Sequence, residues 1–387
     1  MKAVKNVRLS EISELITKGT TPTTLGYDFQ ITGVNFLKIE CFDEQGRYIK
    51  SKVAHISDEC NEKMKRSQLK KGDLLFSIAG AIGRVAVVTE EMLPANINQA
   101  FAIIRINRDD IYLPYIRLIL TSPIVKTQFE RKKQGVAQLN ISLKDISEIE
   151  IPLPDIKQQI DFAELFTKLS SVIEFRIQQL AALDELVKAR FVEMFLGKKY
   201  PMISVDDLSL GKGEYGAQSA SVKYDVNRPR YIRITDINDD GTLNNDFVSS
   251  SNINDDKQYK LNYGDFLFAR MGATVGKTYA YKEGNQIYAG YLIRYKLNLK
   301  KILPEYLYAY TQLDDYWNWV KLNQSGAAQP GINAKKYGSL QISVAPLKEQ
   351  HMFQLFIQQI NKTKSAVQKS LEKSQLLFDS LMQEYFG

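Results

Sequence analysis

The chain has 387 residues, of which 44% are hydrophobic and 25% are charged, the proportions of an ordinary globular protein. This length predicts two or more domains, and the lack of any run of 18 apolar residues argues against a membrane protein. Two cysteines, Cys41 and Cys60, are too few for a disulfide framework and indicate the reducing cytoplasm. The net charge of +7 moderately favours a polyanionic partner.

Short strands and amphipathic helices are predicted in both halves of the chain. Strand patterns occur in FLKIECF (36–42), VAVV (85–88), FAIIRI (101–106), YIRIT (231–235) and YLIRYKL (291–297). Helical patterns occur over 112–132 and 306–322. Because strands and helices do not alternate strictly, the predicted fold class is α+β, with mixed α/β domains.

Two longer runs, 156–197 and 347–387, carry a helical pattern with apolar positions that alternate steps of four and three. The first run follows this spacing at Phe162, Phe166, Leu169, Ile173, Arg176, Leu180, Leu183, Val187, Arg190 and Met194. The second follows it at Phe353, Ile357, Ile360, Lys364, Val367, Leu371, Ser374, Phe378, Leu381 and Tyr385. An average step of about 3.5 residues favours an intramolecular coiled coil over two amphipathic helices on separate domains.

The helical runs end a unit that the chain contains twice. The segment GDLLFSIAGAIGRV (72–85) returns as GDFLFARMGATVGKT (264–278), and QGVAQLNIS (134–142) returns as SGAAQPGIN (325–333). A solenoid is excluded, since its repeats are only about 20–50 residues long. The predicted organisation is therefore a globular domain, a helix, a second globular domain and a second helix, over 1–153, 154–197, 198–345 and 346–387.

Three features that suggest chemistry are interpreted otherwise. GKGEYG (211–216) has the dinucleotide-binding spacing, but no buried strand precedes it and no helical pattern follows it. GATVGKT (272–278) lacks the first glycine of a phosphate-binding loop, because Met271 stands there, so a tight turn is favoured. The only histidines, His55 and His351, are isolated, and no metal site or catalytic residue is predicted.

The repeated elements resemble the specificity subunit of a Type I restriction–modification enzyme over essentially the whole chain. The likeness lies in the GD-aliphatic-aliphatic-F…GA…G-[RK] element, the G-x-x-Q element, and the strand, proline and K-x-Q helix that follow. The first of these comprises Gly72, Asp73, Gly80, Ala81, Gly83 and Arg84, and then Gly264, Asp265, Gly272, Ala273, Gly276 and Lys277. The resemblance implies two target recognition domains and two spacer helices packed antiparallel.

The resemblance also implies a division of labour in which this subunit is not the enzyme. Each domain would read one half of an interrupted target in double-stranded DNA, while the helices set the unread gap. The implied partners are two copies of a DNA methyltransferase subunit and restriction subunits, which would bind S-adenosylmethionine and ATP; no cofactor is expected on this chain. The alternatives are a stand-alone DNA methyltransferase or nuclease, and a coiled-coil scaffold without a DNA function.

Side chains in the loops between strands are the candidates for DNA contact. In the first domain they are Lys18, Thr20, Thr21, Lys38, Arg84, Gln99 and Gln138. In the second they are Lys212, Tyr215, Arg233, Arg270, Thr274, Lys277 and Gln329. Arg84 and Lys277 are the candidates for phosphate contact. Each residue has a solvated surface role as its alternative, and Gln138 and Gln329 have a hydrogen bond within their own domain.

Overall fold

The computed structural model describes residues 5–130, 141–325 and 331–386. It divides into two compact units, of which the first comprises Met1–Arg176 with Ser370–Gly387 and the second comprises Ile177–Lys369. Each unit thus contains a globular part together with parts of two long helices.

The globular part of the first unit consists of short strands and short helices. The strands are β1 (Lys5–Arg8), β2 (Leu15–Lys18), β3 (Val34–Leu37), β4 (Ala54–Ile56), β5 (Leu74–Ser77), β6 (Val85–Val87), β7 (Ala95–Ile97), β8 (Phe101–Arg105) and β9 (Glu150–Leu153). The helices are α1 (Leu9–Ile12), α2 (Asp58–Lys63), α3 (Leu113–Leu120), α4 (Pro123–Glu130) and α5 (Leu143–Ser147), followed by the long helix α6 (Ile156–Phe195).

A four-stranded antiparallel sheet of order β2-β8-β5-β6 is the centre of this globular part. Its side chains alternate between two cores, so that both faces are buried. Leu74 and Phe76 face a core that also contains residues of α3 and α4, whereas Leu75 faces a second core with Leu37 and Ile97. Leu37 and Ile97 belong to the sheet β4-β3-β7, in which β3 and β7 are parallel.

The second unit has a globular part with an equivalent set of elements. Its strands are β10 (Met202–Ser204), β11 (Glu214–Tyr215), β12 (Ser221–Lys223), β13 (Arg230–Ile232), β14 (Val248–Ser250), β15 (Asp265–Ala269), β16 (Thr278–Ala280), β17 (Gln286–Tyr288), β18 (Leu292–Lys296) and β19 (Gln341–Ser343). Its helices are α7 (Asp255–Gln258), α8 (Pro304–Tyr310), α9 (Asp314–Asn323) and α10 (Ala334–Gly338), followed by the long helix α11 (Leu347–Phe386).

Most of the strand pairing repeats that of the first unit, except that β4 pairs with β3 in the first unit whereas β12 and β14 form a separate pair in the second. The central antiparallel sheet has the order β11-β18-β15-β16, and β13 pairs with β17 in parallel as β3 does with β7. The antiparallel pair β10-β19 corresponds to β1-β9. This repetition confirms that the duplicated sequence encodes two domains of one mixed α/β fold.

Each unit contains an antiparallel contact between α6 and α11. In the first unit, Phe162 packs on Tyr385 and Phe166 on Phe378, with ring centroids 4.8 and 5.2 Å apart. In the second unit, the Lys364 Nζ lies 2.6 Å from Asp184 Oδ1, and the Phe191 and Phe353 rings are 5.3 Å apart. In both units, residues further along α6 contact residues earlier in α11, which confirms the predicted antiparallel coiled coil.

The spacing of four and three fails near the end of α6. It assigns Arg190 to the buried stripe, but Phe191 is buried there and packs on Tyr306 as well as on α11. Arg190 instead binds Glu193 on its own helix at 2.7 Å. The helix at this point packs against a globular core in addition to α11, so its buried stripe is wider than a coiled-coil seam.

Several predicted elements are shorter than their patterns. The runs 36–42 and 231–235 each contain a strand and then a 3-10 turn, Ile39–Cys41 or Ile234–Asp236. The helical run 112–132 forms α3 and α4, which are separated at residues 121–122, just before Pro123. Proline cannot donate the backbone hydrogen bond that would continue α3, and it is well suited to the first turn of α4.

Buried glutamines fix the first turn of each long helix to the neighbouring domain. Gln159 Oε1 accepts a hydrogen bond from the Tyr112 backbone N–H at 2.9 Å, while its Nε2 donates to the carbonyls of Asp110 and Pro154. Gln350 makes the equivalent bonds with Leu303 N, Lys301 O and Ala345 O. The glutamine of the repeated K-x-Q element therefore satisfies three backbone groups at the junction of helix and domain.

Candidate nucleic-acid interface

A glycine turn follows one of the two inner strands of each four-stranded sheet, β5 in the first unit and β15 in the second. In the first unit it connects β5 to β6, and Gly80 and Gly83 have φ angles of 71° and 88°. In the second it connects β15 to β16, and Gly272 and Gly276 have φ angles of 71° and 91°. Because L-residues with a side chain rarely adopt these angles, glycine at these positions allows the turn to be tight.

The basic residue that ends each turn supports another loop of its own domain. Arg84 Nη1 donates hydrogen bonds to the carbonyls of Ile39 and Phe42, at 3.2 and 2.7 Å. Lys277 Nζ lies 3.3 Å from the carbonyl of Ile237 and 2.8 Å from the Asp239 carboxylate. Both side chains thus have internal partners, and a phosphate contact by either remains a prediction.

Five predicted contact residues of the first unit lie around the end of β7. Thr21 and Gln99 hydrogen bond to each other through their side chains. Gly19, between Lys18 and Thr20, packs so closely on the Ile97 carbonyl that a Cβ would lie 1.9 Å from its oxygen. Lys38 directly follows Leu37, the strand partner of Ile97. Lys18, Thr20, Thr21, Lys38 and Gln99 are therefore supplied by three segments that meet at one edge.

In the second unit, two predicted residues contact each other directly. The guanidinium of Arg270 lies over the ring of Tyr215, with its carbon 4.7 Å from the ring centroid. The Tyr215 hydroxyl accepts a hydrogen bond from the Ala334 backbone N–H at 3.2 Å. Thr274 lies in the glycine turn that follows Arg270, where its hydroxyl is 3.4 Å from the carbonyl of Met271. Tyr291 is not among the predicted contact residues, but it is exposed, and its backbone carbonyl accepts a hydrogen bond from the Arg270 N–H.

Two further predicted residues of the second unit are held by acidic partners. Arg233 binds Asp236 and Asp246 at 2.7 and 2.6 Å, and the hydrogen bond to Asp236 raises the pKa of its guanidinium. Lys212 Nζ lies 2.5 Å from Asp206, whose hydrogen bond raises the pKa of the ammonium group. Gln138 and Gln329 lie outside the described residues, so their predicted roles remain predictions.

A groove of 1130 Å³ in the first unit is lined by the glycine turn, by α3 and α4, and by α6 and α11. Arg117 and Lys126 contribute positive charge to its lining, whereas Glu44 and Glu174 contribute negative charge. A lining of mixed sign does not favour a polyanion over other ligands.

The structure also shows the surroundings of the two glycine motifs and of the residues that could bind a metal ion. Residues 214–215 of GKGEYG form a strand, and GATVGKT leads into β16, whereas both phosphate-binding patterns require a helix after the glycines. Within residues 5–130, 141–325 and 331–386, no group of three His, Cys, Asp or Glu side chains is placed to hold a metal ion. No helix in the same ranges is long and apolar enough to cross a membrane.

The chain is similar to known specificity proteins in sequence and in fold. The family model described as "Type I restriction modification DNA specificity domain" matches residues 1–185 and 198–375. The Type I restriction enzyme EcoBI specificity subunit of Escherichia coli is 28% identical over 202 residues, which are 51% of this chain and 42% of that protein. The match therefore spans less than half of that relative's length.

Two solved structures share the fold. A chain from work on complex assembly and conformational transition of the type I R-M system has a TM-score of 0.64 and 18% identity, over 99% of this chain and 97% of that one. The Type I restriction-modification system S subunit from M. genitalium has a TM-score of 0.53 and 13% identity, over 100% and 97%. With two family matches that together span most of its length, the chain belongs to the Type I restriction modification DNA specificity domain family.

Proposed function

We propose that this chain is the sequence-recognition subunit of a Type I restriction–modification complex, and that each globular domain reads one half of an interrupted target in double-stranded DNA. The observation that carries the proposal is the repetition of one sheet order and one glycine turn in both units, with different side chains around them. Two domains of one fold with different surface residues suit two different half-sites. The net charge of +7 supports a polyanionic ligand.

Catalysis is proposed to belong to partner subunits. Two copies of a DNA methyltransferase subunit would bind S-adenosylmethionine, and restriction subunits would bind ATP, with no cofactor on this chain. Large apolar side chains are exposed on α6, among them Val172 and Phe175 in the first unit and Leu186 and Val192 in the second. Exposed apolar side chains of this kind are typical of a protein-binding surface, and we assign them to methyltransferase docking.

The long helices are proposed to set the number of unread base pairs. Both α6 and α11 have 40 residues, which corresponds to about 60 Å of helix. One helical turn inserted after Leu180, with a matching turn in α11, is expected to lengthen the unread gap by about one or two base pairs. The bases read on either side should stay the same. A change of those bases with an unchanged gap would show that the helices do not set the spacing.

Exchange of one domain tests the recognition function. Residues 1–153 are replaced by the corresponding domain of another specificity subunit, α6 and α11 are kept, and the chain is assembled with its methyltransferase subunit. We expect methylome sequencing to show a new first half-site and an unchanged second half-site. An unchanged target would contradict the proposal, methyl transfer by the isolated chain would indicate an enzyme, and an assembly without sequence preference would indicate a scaffold.

A further inference from the structure

One backbone position is the same in the two units but carries very different side chains. Ile78 N–H donates to the carbonyl of Ala100, and the Ile78 carbonyl accepts from Ile141 N–H. Arg270 makes the equivalent pair of bonds, with the carbonyl of Tyr291 and the N–H of Ile332. Ile78 is 5% exposed and belongs to the core, whereas the Arg270 side chain leaves the core and lies over Tyr215. The side chain at this position is therefore not dictated by the backbone that holds it.

Arg270 also differs from the other arginines between residues 198 and 345. Each of the others donates a hydrogen bond from a terminal nitrogen to an acidic or amide side chain: Arg228 to Asp256, Arg230 to Asn244, Arg233 to Asp236, and Arg294 to Glu214. The Nε atoms of Arg230, Arg270 and Arg294 are all buried without a hydrogen-bond partner among the described residues. The terminal nitrogens of Arg230 and Arg294 are nevertheless hydrogen bonded, whereas the Arg270 side chain has no hydrogen bond within the same residues. A buried donor without a partner is costly, so a guanidinium kept in this state is suited to a ligand that supplies acceptors.

Tyr215 holds the guanidinium plane in one orientation. Stacking on an aromatic ring restricts the plane while leaving its in-plane donors available. The Tyr215 hydroxyl is itself anchored to the Ala334 N–H, so the ring that supports Arg270 is fixed. Tyr215, on which the guanidinium lies, is 41% exposed, and Tyr291, whose carbonyl accepts the Arg270 N–H, is 53% exposed, so this part of the domain lies at a surface that a duplex can reach.

If the proposed recognition function is correct, these observations indicate which DNA base one residue of the second domain contacts. We propose that Arg270 is a specificity-determining residue that reads a guanine in the half-site of the second domain. Guanine presents two acceptors, O6 and N7, at the spacing of two guanidinium N–H groups in the major groove. Ile78 cannot make this contact, so the first domain reads no guanine through the equivalent position.

The test compares variants of the full chain, assembled with the methyltransferase subunit, in selection from a random-sequence DNA library. Arg270→Ile copies the side chain of the first unit, Arg270→Lys keeps the charge but loses two-point binding, and Lys300→Gln is a matched loss of one exposed charge. Both Arg270 variants are expected to lose about 10- to 100-fold discrimination at one guanine of the second half-site. The first half-site should remain unchanged, as should both half-sites with Lys300→Gln.

The possible outcomes distinguish a failure of the proposed Arg270–guanine contact from a failure of the proposed recognition function. If both Arg270 variants weakened binding to all sequences equally, Arg270 would contact a phosphate and the assignment would be wrong. It would also be wrong if the wild-type second half-site held no guanine or if discrimination were unaffected. A wild-type complex that selected no sequence at all would overturn the recognition function itself. Tyr215→Leu, which removes the stack but keeps Arg270, should reduce discrimination at the same guanine and nowhere else.

Discussion

Asp73 and Arg105 form a buried two-point ion pair, in which Arg105 Nε and Nη2 each donate a hydrogen bond of 2.7 Å to the Asp73 carboxylate. Hydrogen bonding to Asp73 raises the pKa of the guanidinium. The side chains of Asp73 and Arg105 are 1% and 13% exposed, so the loss of the Asp73 carboxylate leaves the largely buried guanidinium with the Gln68 carbonyl as a partner but with no counter-charge. Asp265 and Arg294 occupy the equivalent positions of the second unit, but there Arg294 also binds Glu214 and its Nη1 lies 3.5 Å from Asp265.

Asp73→Asn is expected to lower the free energy of unfolding by about 3–5 kcal/mol, because removal of one partner of a buried pair leaves the other uncompensated. Asp110→Asn is the matched control, since the Asp110–Arg108 pair has similar distances but is exposed. Exposed pairs contribute only about 0–1 kcal/mol. Urea unfolding of the full chain, followed by circular dichroism, measures both, and equal costs for the two variants would contradict the argument.

The stability of the second unit is expected to depend on pH through Asp265. Burial raises the pKa of this carboxyl group above its ordinary value of 3.8. The folded state therefore holds the proton more tightly than the unfolded state, and the wild type loses stability as the pH rises from 3.8 through the raised pKa. Asp265→Asn removes this titration. The stability of the wild type relative to the variant should fall over that window and stay constant above it; a rise would contradict the sign.

Gln159→Leu is expected to destabilise the first unit by about 3 kcal/mol or more. The substitution leaves the Tyr112 N–H and the carbonyls of Asp110 and Pro154 without their partner, and each unsatisfied buried group costs about 1–3 kcal/mol. Gln158→Leu, at the exposed neighbouring position, should change stability by no more than about 0.5 kcal/mol. The denaturant midpoints of the two variants provide the comparison. A similar small effect for both would show that the bonds of Gln159 are dispensable.

Substitutions of two phenylalanines of α6 are expected to have different effects, one on stability and the other on binding of the methyltransferase subunit. Phe166 is 1% exposed and packs on Phe378, so Phe166→Ala should cost about 3–5 kcal/mol. Phe175 is 60% exposed, and Phe175→Ala should change stability by less than about 0.5 kcal/mol. Under the proposed function, Phe175→Ala nevertheless weakens association with the methyltransferase subunit, which is measured by titration of the purified subunits. Unchanged affinity would remove Phe175 from the docking surface.

The duplication within the sequence was sufficient to predict the repeated fold and the paired helices. Elements that recur at a fixed offset, such as Gln159 and Gln350, occupy equivalent positions in the structure because each makes the same three backbone contacts. The pattern of residues also predicted the two glycine turns correctly. Local periodicity was less successful at Phe191, where burial is determined by a globular core that lies far away in the sequence.

The partners of basic side chains could not be inferred from residue type. Arg84 and Lys277 bind carbonyls that are 42 and 40 residues away, and only the fold brings these groups together. Arg233 likewise meets Asp246 across a loop. The sequence predicts a DNA contact for Arg270 on the same grounds as for Arg84, Arg233 and Lys277. Of these four, only Arg270 stacks on a ring and has a buried Nε without a hydrogen-bond partner within the described ranges.

The first unit consists of two segments that are far apart in the sequence, and this arrangement imposes an order on folding. Its main core includes Met382 and Phe386, which belong to the segment Ser370–Gly387, whereas the larger segment of the unit ends at Arg176. During translation, the residues of the second unit leave the ribosome before these two side chains are available. Domains generally fold as units while the chain grows. We therefore expect the second unit to complete its fold first, and the core of the first unit to stay open until the last part of α11, from Ser370 onward, is synthesised.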